Sequence, residues 1–227
     1  MPEINLLDTI PKIQRNIAAR VGNKEANREQ ALLFGEAYFD GPREQGYGGY
    51  TYDGRWVPVA EKIVEHFGLK PGMRVLDIGC AKGFLVKDLL EVCQGLEVFG
   101  SDISSYAVMN CPTEVIGRLS VQDLRAPLPY VDGAFDAVLC INTLHNLDLI
   151  DAAAALREIQ RVSNGRAFVQ VDAYRNEEER ELFLDWMLTA KSFFRPERWI
   201  EIFSENGYSG DYFWTILQSG GSDAAQG

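Results

Sequence analysis

From residue 74 onward, short runs of β-formers alternate with amphipathic stretches, and this alternation restricts the fold more than any other feature of the chain. RVLDIG (74–79), LEVFGSD (96–102), GRLSVQD (117–123), FDAVLCIN (135–142), RAFVQVDAY (166–174) and YFWTIL (212–217) read as strands. Helical patterns occupy 82–93, 104–110, 148–162, 176–190 and the stretch from Pro196 to Asn206-Gly207. Strand and helix repeating at this spacing require parallel crossovers and a sheet covered on both faces. The apolar runs at 75–78 and 137–141 fit strands buried on both sides. The expected fold class is therefore α/β, with a doubly wound, mostly parallel sheet of six or seven strands.

The region before residue 57 reads differently. Helical stretches are expected at 9–20 and 24–39, followed by the loop DGPREQGYGGYTYDGRW at 40–56. Long loops in compact domains often serve as lids. Tyr47, Tyr50 and Tyr52 alternate within it and are expected either to line a site or to pack the loop on the core. Residues 1–56 are read as a helical and loop cap, 57–218 as the sheet domain, and SGGSDAAQG (219–227) as a disordered tail.

Charge and composition narrow the partners. A formal net charge of -11 argues against sequence-independent nucleic-acid binding, which needs Lys and Arg to displace counterions. No apolar run approaches the ~20 residues of a membrane span. The start, MPEINLLDTIPKIQRN, lacks the apolar block and cleavage site of a secretory signal. The expectation is a cytoplasmic protein acting on a small molecule, with no nucleic acid or membrane partner and an open oligomeric state. Cys80, Cys93, Cys111 and Cys140 form no C-x-x-C pair, and the only histidines are His66 and His145, so zinc spacing is absent and reduced, mostly buried thiols are expected. His66 is read as structural or solvated.

The turn VLDIGCAKGF (75–84) carries the chemistry. In an open parallel sheet, ligands sit beyond the carboxyl ends of the strands. Gly79 and Gly83, lacking Cβ, let backbone approach a ligand closely. Asp77, near the end of its strand, can anchor a cation or bond backbone amides. Asp102 ends the next strand, 23 positions after Gly79, where an acid can accept both hydroxyls of a ribose. Gly79-Cys80-Ala81-Lys82-Gly83 does not match the dinucleotide pattern G-x-G-x-x-G, and no P-loop is present. An adenosine-bearing cofactor is expected. Lys82 is read as a surface lysine at a helix start.

Four stretches in order resemble the class I S-adenosylmethionine-dependent methyltransferases of small-molecule type. VLDIGCAKG matches the first motif, FGSDIS (99–104) the acidic end of the second strand, VQDLRAPLPYVDGAFDAVLC the acid and L-P turn before the fourth strand, and INTLHNL (141–147) the loop after it. Together they cover roughly 56–175. The resemblance implies a Rossmann-like fold, S-adenosyl-L-methionine as cofactor and S-adenosyl-L-homocysteine as product. It further implies that Asp77 and the turn with Gly79, Cys80, Ala81 and Gly83 hold the methionine amino end. Asp102 takes the ribose, Ile103 packs on the adenine, and Asp123 and Leu124 meet its edge. Ile141 and Asn142 line the methyl side, and Tyr50, in the tyrosine-rich loop, closes over the methionine end.

His145 lies in the loop after the fourth strand, where the donor methyl should point. A histidine there could accept the proton of a hydroxyl nucleophile, and it is the candidate catalytic residue. The loop has no [ND]-P-P-[YF] signature of base methylation, and Asp148 and Asp172 alone do not make a metal site. A looser likeness to enzymes of bacterial saccharide and secondary-metabolite pathways, with His145, points to O-methylation. The alternatives are a nicotinamide-dependent oxidoreductase and a non-catalytic cofactor-binding subunit. Trp186, Phe193, Phe194 and Trp199 are read as core, and EEERE (177–181) as a solvated helix face.

Overall fold

The structure is a computed structural model that describes residues 1–10 and 17–217. Part of the helix expected at 9–20, and the tail 219–227, lie outside the described residues. Six strands form one sheet in the order β3-β2-β1-β4-β5-β6: β1 Arg74–Ile78, β2 Glu97–Asp102, β3 Leu119–Val121, β4 Ala137–Ile141, β5 Ala167–Asp172 and β6 Asp211–Thr215. Every pairing is parallel. The strand order reverses between β1 and β4, so the crevice beyond their carboxyl ends is the switch point.

Side-chain alternation sends each strand into two cores. Val75, Val98, Ala137, Leu139 and Phe168 pack with α4 (Val57–Phe67) and α5 (Phe84–Val92). Leu76, Ile78, Val138, Cys140, Val169 and Val171 pack on the other face with α7 (Leu149–Ser163) and α9 (Pro196–Glu205). Leu6, Leu7 and Ile10 join the first core, and Ile4 donates its N–H to the Tyr212 carbonyl at 2.9 Å on the outer side of β6. Trp199 is wholly buried and its indole donates to the Asp172 carbonyl at 2.9 Å, which fixes the end of β5.

Two expected helices are shorter or split. The stretch 24–39 becomes α2 (Lys24–Ala31) and α3 (Glu36–Phe39), broken at Phe34, which takes a left-handed φ of 47°. The Phe34 carbonyl accepts from the Ser104 hydroxyl at the start of α6 (Ser105–Met109). The acidic helix α8 is Glu177–Trp186 rather than reaching 190. Arg20, in α1 (Ile17–Val21), donates to the Trp186 carbonyl at 3.0 Å, and Arg28 to the Ala190 carbonyl at 3.3 Å. The first of these bonds takes a carbonyl that a helix reaching 190 would have used internally, and the second takes one at its expected end.

Candidate functional site

A cavity of about 370 Å³ opens at the carboxyl edge of β1, β2 and β4. Its wall includes Asp77, Gly79, Cys80, Ala81, Asp102, Ile103, Asp123, Leu124, Ile141, Asn142 and Tyr50, which are all but one of the cofactor residues expected from sequence. The exception, Gly83, caps α5 with a left-handed φ of 76°. The volume suits a ligand of cofactor size, within the ~300–1,000 Å³ typical of small-molecule sites.

The turn is built from backbone. Gly79 and Cys80 donate to the Ser101 carbonyl at 2.7 and 3.1 Å, and Gly83 donates to the Cys80 carbonyl at 2.8 Å. Gly79 has φ 76°, and a Cβ there would lie 1.9 Å from Thr143 Oγ1 in the loop after β4. Only glycine fits this contact. Ala81 is also left-handed, at φ 52°, and its N–H donates to Asp102 Oδ2 at 2.8 Å. Asp102 Oδ1 accepts from Ser104 N–H at 2.8 Å. Asp102 is thereby oriented by the turn it faces, with lone pairs left over for a ligand. Burial pushes its carboxyl up, and those two backbone bonds pull partly back.

Asp77 is buried, and its carboxylate accepts no hydrogen bond among the described residues. Burial, then the nearby Asp102 charge, push its pKa up to about 7. An uncompensated buried acid facing a cavity is a place for a cation. This donor set suits a ligand with a cation at one end, a diol further along and a flat apolar ring. Asp123 is different from expectation in one respect: both its oxygens meet Arg125, at 2.9 Å from Nε and 2.5 Å from Nη2, which holds its carboxyl below the usual range.

The N-terminal segment forms the outer wall. Leu32, Leu33, Phe34, Tyr38, Phe39, Tyr47 and Tyr50 line the cavity, whereas Tyr52 turns away and donates to Asp88 Oδ1 at 2.7 Å. Lys82 corrects the sequence reading. It is buried, and its ammonium meets Asp40 at 2.6 and 2.7 Å and the Tyr50 carbonyl at 3.0 Å. Asp40 also accepts from Tyr106 at 2.7 Å and from Tyr50 N–H at 3.1 Å. Although burial raises it, these partners hold the Asp40 carboxyl below its usual range. Nothing in the local sequence marks this ion pair.

A second cavity, about 70 Å³, adjoins the first. Tyr38, Tyr47, Asn142 and Asn146 line both, and His145, Asp172 and Trp186 lie in the second. His145 therefore faces the annex rather than the main cleft. Its Nδ1 accepts from Asp172 N–H at 3.0 Å, so the ring proton is on Nε2, which lies 3.5 Å from Asp172 Oδ2. Burial pushes the imidazole below its ordinary value, the Asp172 charge opposing. The ring has no free lone pair with which to take a proton, which speaks against the expected general base. His66 contacts Asp211 at 2.6 Å, and the four cysteines are free.

Asn142, left-handed at φ 53°, is held by a chain of bonds: Gln170 Nε2 donates to Thr215 Oγ1 at 2.9 Å, which donates to Asn142 Oδ1 at 2.8 Å. Asn146 Nδ2 reaches the Asn142 carbonyl at 3.5 Å. Asn142 Nδ2 and Asn146 Oδ1 are buried and have no hydrogen-bond partner among the described residues. Among the described residues no group of three or more His, Cys, Asp or Glu is placed to hold a metal ion, and no helix is long and apolar enough to cross a membrane.

Residues 76–169 match the family model described as a methyltransferase domain. The chain is 28% identical over 149 residues to a sterol 24-C-methyltransferase of Gibberella zeae, covering 60% of this chain and 39% of that one. It is 30% identical over 113 residues to an uncharacterized methyltransferase of Synechocystis sp. (49% and 52% covered), and 29% over 108 residues to a ubiquinone biosynthesis O-methyltransferase of Sinorhizobium medicae (43% of each). The chain thus spans between 39% and 52% of the length of these curated relatives. In fold it is similar to the YcgJ protein from Bacillus subtilis, with TM-score 0.51, 20% identity and coverage of 65% of this chain and 66% of that one. A Haloferax volcanii methyltransferase, solved with the Trm112 activator, gives TM-score 0.50 at 20% identity over the same shares.

Proposed function

We propose, from the premise that residues 76–169 form a class I S-adenosylmethionine-dependent methyltransferase domain, that the chain methylates a hydroxyl of a small molecule, a saccharide or secondary metabolite. The observation that carries this reading is the uncompensated Asp77 carboxylate, about 7 in pKa, sharing a cavity wall with Asp102. It supports a ligand with a cation at one end and a diol further along. When bound, the cofactor would supply an electrophilic methyl on a sulfonium, and would be left as a thioether once that methyl had passed to the acceptor oxygen and the hydroxyl proton had been released.

The chain's own contribution is positional. Asp77 and the Gly79–Gly83 turn hold the amino end, Asp102 the ribose, and Ile103, Asp123 and Leu124 the base. Tyr47 and Tyr50 close the outer wall and exclude water, and the annex takes the reacting end of the acceptor. Alignment of reactants is the main source of rate in such a site. His145 acts as a positioning residue, holding the annex wall to the end of β5. The relatives' names cover both C- and O-methylation and do not decide between them.

The test is titration calorimetry of S-adenosylhomocysteine, S-adenosylmethionine and NADH on wild type and Asp77→Asn. Micromolar binding of the first two, weakened in the variant, is expected. Binding of NADH alone sinks the reading. Labelled methyl transfer to phenols and glycosides follows.

A further inference from the structure

The wall between the two cavities carries two buried amide atoms that no group among the described residues satisfies, Asn142 Nδ2 and Asn146 Oδ1. Their orientation is set by neighbours. The Thr215 hydroxyl fixes the Asn142 oxygen, and the Asn142 carbonyl fixes the Asn146 nitrogen. What remains at this wall is one donor and one acceptor. Native proteins leave few such atoms, and those left commonly await a ligand or a water.

We propose that Asn142 and Asn146 read a single hydroxyl of the methyl acceptor, Asn142 Nδ2 donating to its oxygen and Asn146 Oδ1 accepting its hydrogen. This rests on the methyl-transfer reading and names its acceptor class: a neutral alcohol or phenol. A carboxylate would set an acceptor against Asn146 Oδ1. An ammonium would set donors against Asn142 Nδ2. An ether has no hydrogen to give. A hydroxyl meets both with one atom. Tyr38 and Tyr47, which line both cavities, provide ring faces for the body that carries it. Such a reader discriminates strongly, because an analogue lacking the O–H leaves a buried group unpaired.

The experiment uses the full chain saturated with S-adenosylhomocysteine. Phenol and methyl glucopyranoside are titrated beside their O-methyl ethers into wild type, Asn146→Leu and Asn146→Asp. Wild type is expected to prefer each hydroxyl over its ether by about tenfold, the ratio that ~1.4 kcal/mol produces. The ratio should fall to about one in Asn146→Leu and persist in Asn146→Asp, which keeps an acceptor oxygen. S-adenosylhomocysteine affinity should change less than about threefold, showing that each variant folds. Equal affinity for hydroxyl and ether in wild type, a ratio untouched by Asn146→Leu, or no binding of any hydroxyl probe overturns the proposal and leaves the two atoms to a water molecule. Failure of S-adenosylhomocysteine itself to bind wild type overturns the methyl-transfer reading instead, and this one with it.

Discussion

His145 accepts the backbone N–H of Asp172 at 3.0 Å, although the two lie 27 residues apart. The bond ties the loop after β4 to the end of β5, and it decides what the imidazole can do.

His145→Ala removes the imidazole acceptor of the Asp172 N–H and should cost about 1–3 kcal/mol in thermal or urea unfolding. The folded imidazole lies below its ordinary value, so the unfolded chain binds more protons. Its contribution to stability is therefore present above the unfolded pKa of about 6.5 and is lost as pH falls below it. The pH–rate profile of methyl transfer should show no limb from His145. An acid limb that vanishes in His145→Ala would restore it as a base.

Asp77 works in the opposite sense. With its pKa raised to about 7, it weakens the ligand-free fold as pH rises from ~4 to ~7, and the loss is complete above that. Asp77→Asn should raise stability at pH 8 by a few kcal/mol, on the order of what a shift of this size implies. The same change should weaken S-adenosylhomocysteine binding. In wild type that binding should tighten with pH up to about 7. A flat pH profile of Kd would remove Asp77 from the contact.

Asp102→Ala removes more than a ligand contact, because Ala81 and Ser104 N–H groups lose their acceptor. The expected loss of stability is roughly 2 kcal/mol, alongside a large loss of cofactor affinity. Asp102→Asn keeps one acceptor oxygen and should recover part of the stability but little of the affinity. Equal cofactor binding in wild type and Asp102→Asn contradicts the ribose assignment.

Gly79→Ala places a methyl 1.9 Å from Thr143 Oγ1 at a left-handed φ of 76°. Strain and overpacking together should cost roughly 2–4 kcal/mol. Adding Thr143→Ala should return only part of it, since the backbone strain stays. Full recovery in the double variant would show that φ is not the issue.

The sheet was legible because parallel strands buried on both faces read as apolar runs, and because the turns after β1 and β2 are short. The same brevity made the cleft residues legible: Asp77, Gly79 and Asp102 stand at strand ends, and strand ends meet at one edge. What escaped depends on long-range contact. Asp40 and Lys82 pair across 42 positions with no motif between them. The break at Phe34 is held by Ser104, from another element. Asn146 looks like any loop polar residue until the burial of its oxygen is seen. For His145 the position was readable from sequence, but which ring nitrogen is spent was not, since that rests on a backbone N–H of another strand.

The Asp40–Lys82 pair has a temporal side. Its ammonium belongs to the glycine turn itself, while its carboxylate belongs to the wall, and Tyr106 and Tyr50 fasten to the same carboxylate. Swinging the wall away thus strips a buried lysine of its counter-charge at the moment the turn is laid bare. The lysine is buried and the carboxylate partly exposed, so salt screens the pair only in part. Under the proposed function, Asp40→Asn should therefore shorten the dwell time of bound S-adenosylhomocysteine, read by stopped-flow displacement, and an unchanged dwell time would show that the pair holds shape alone.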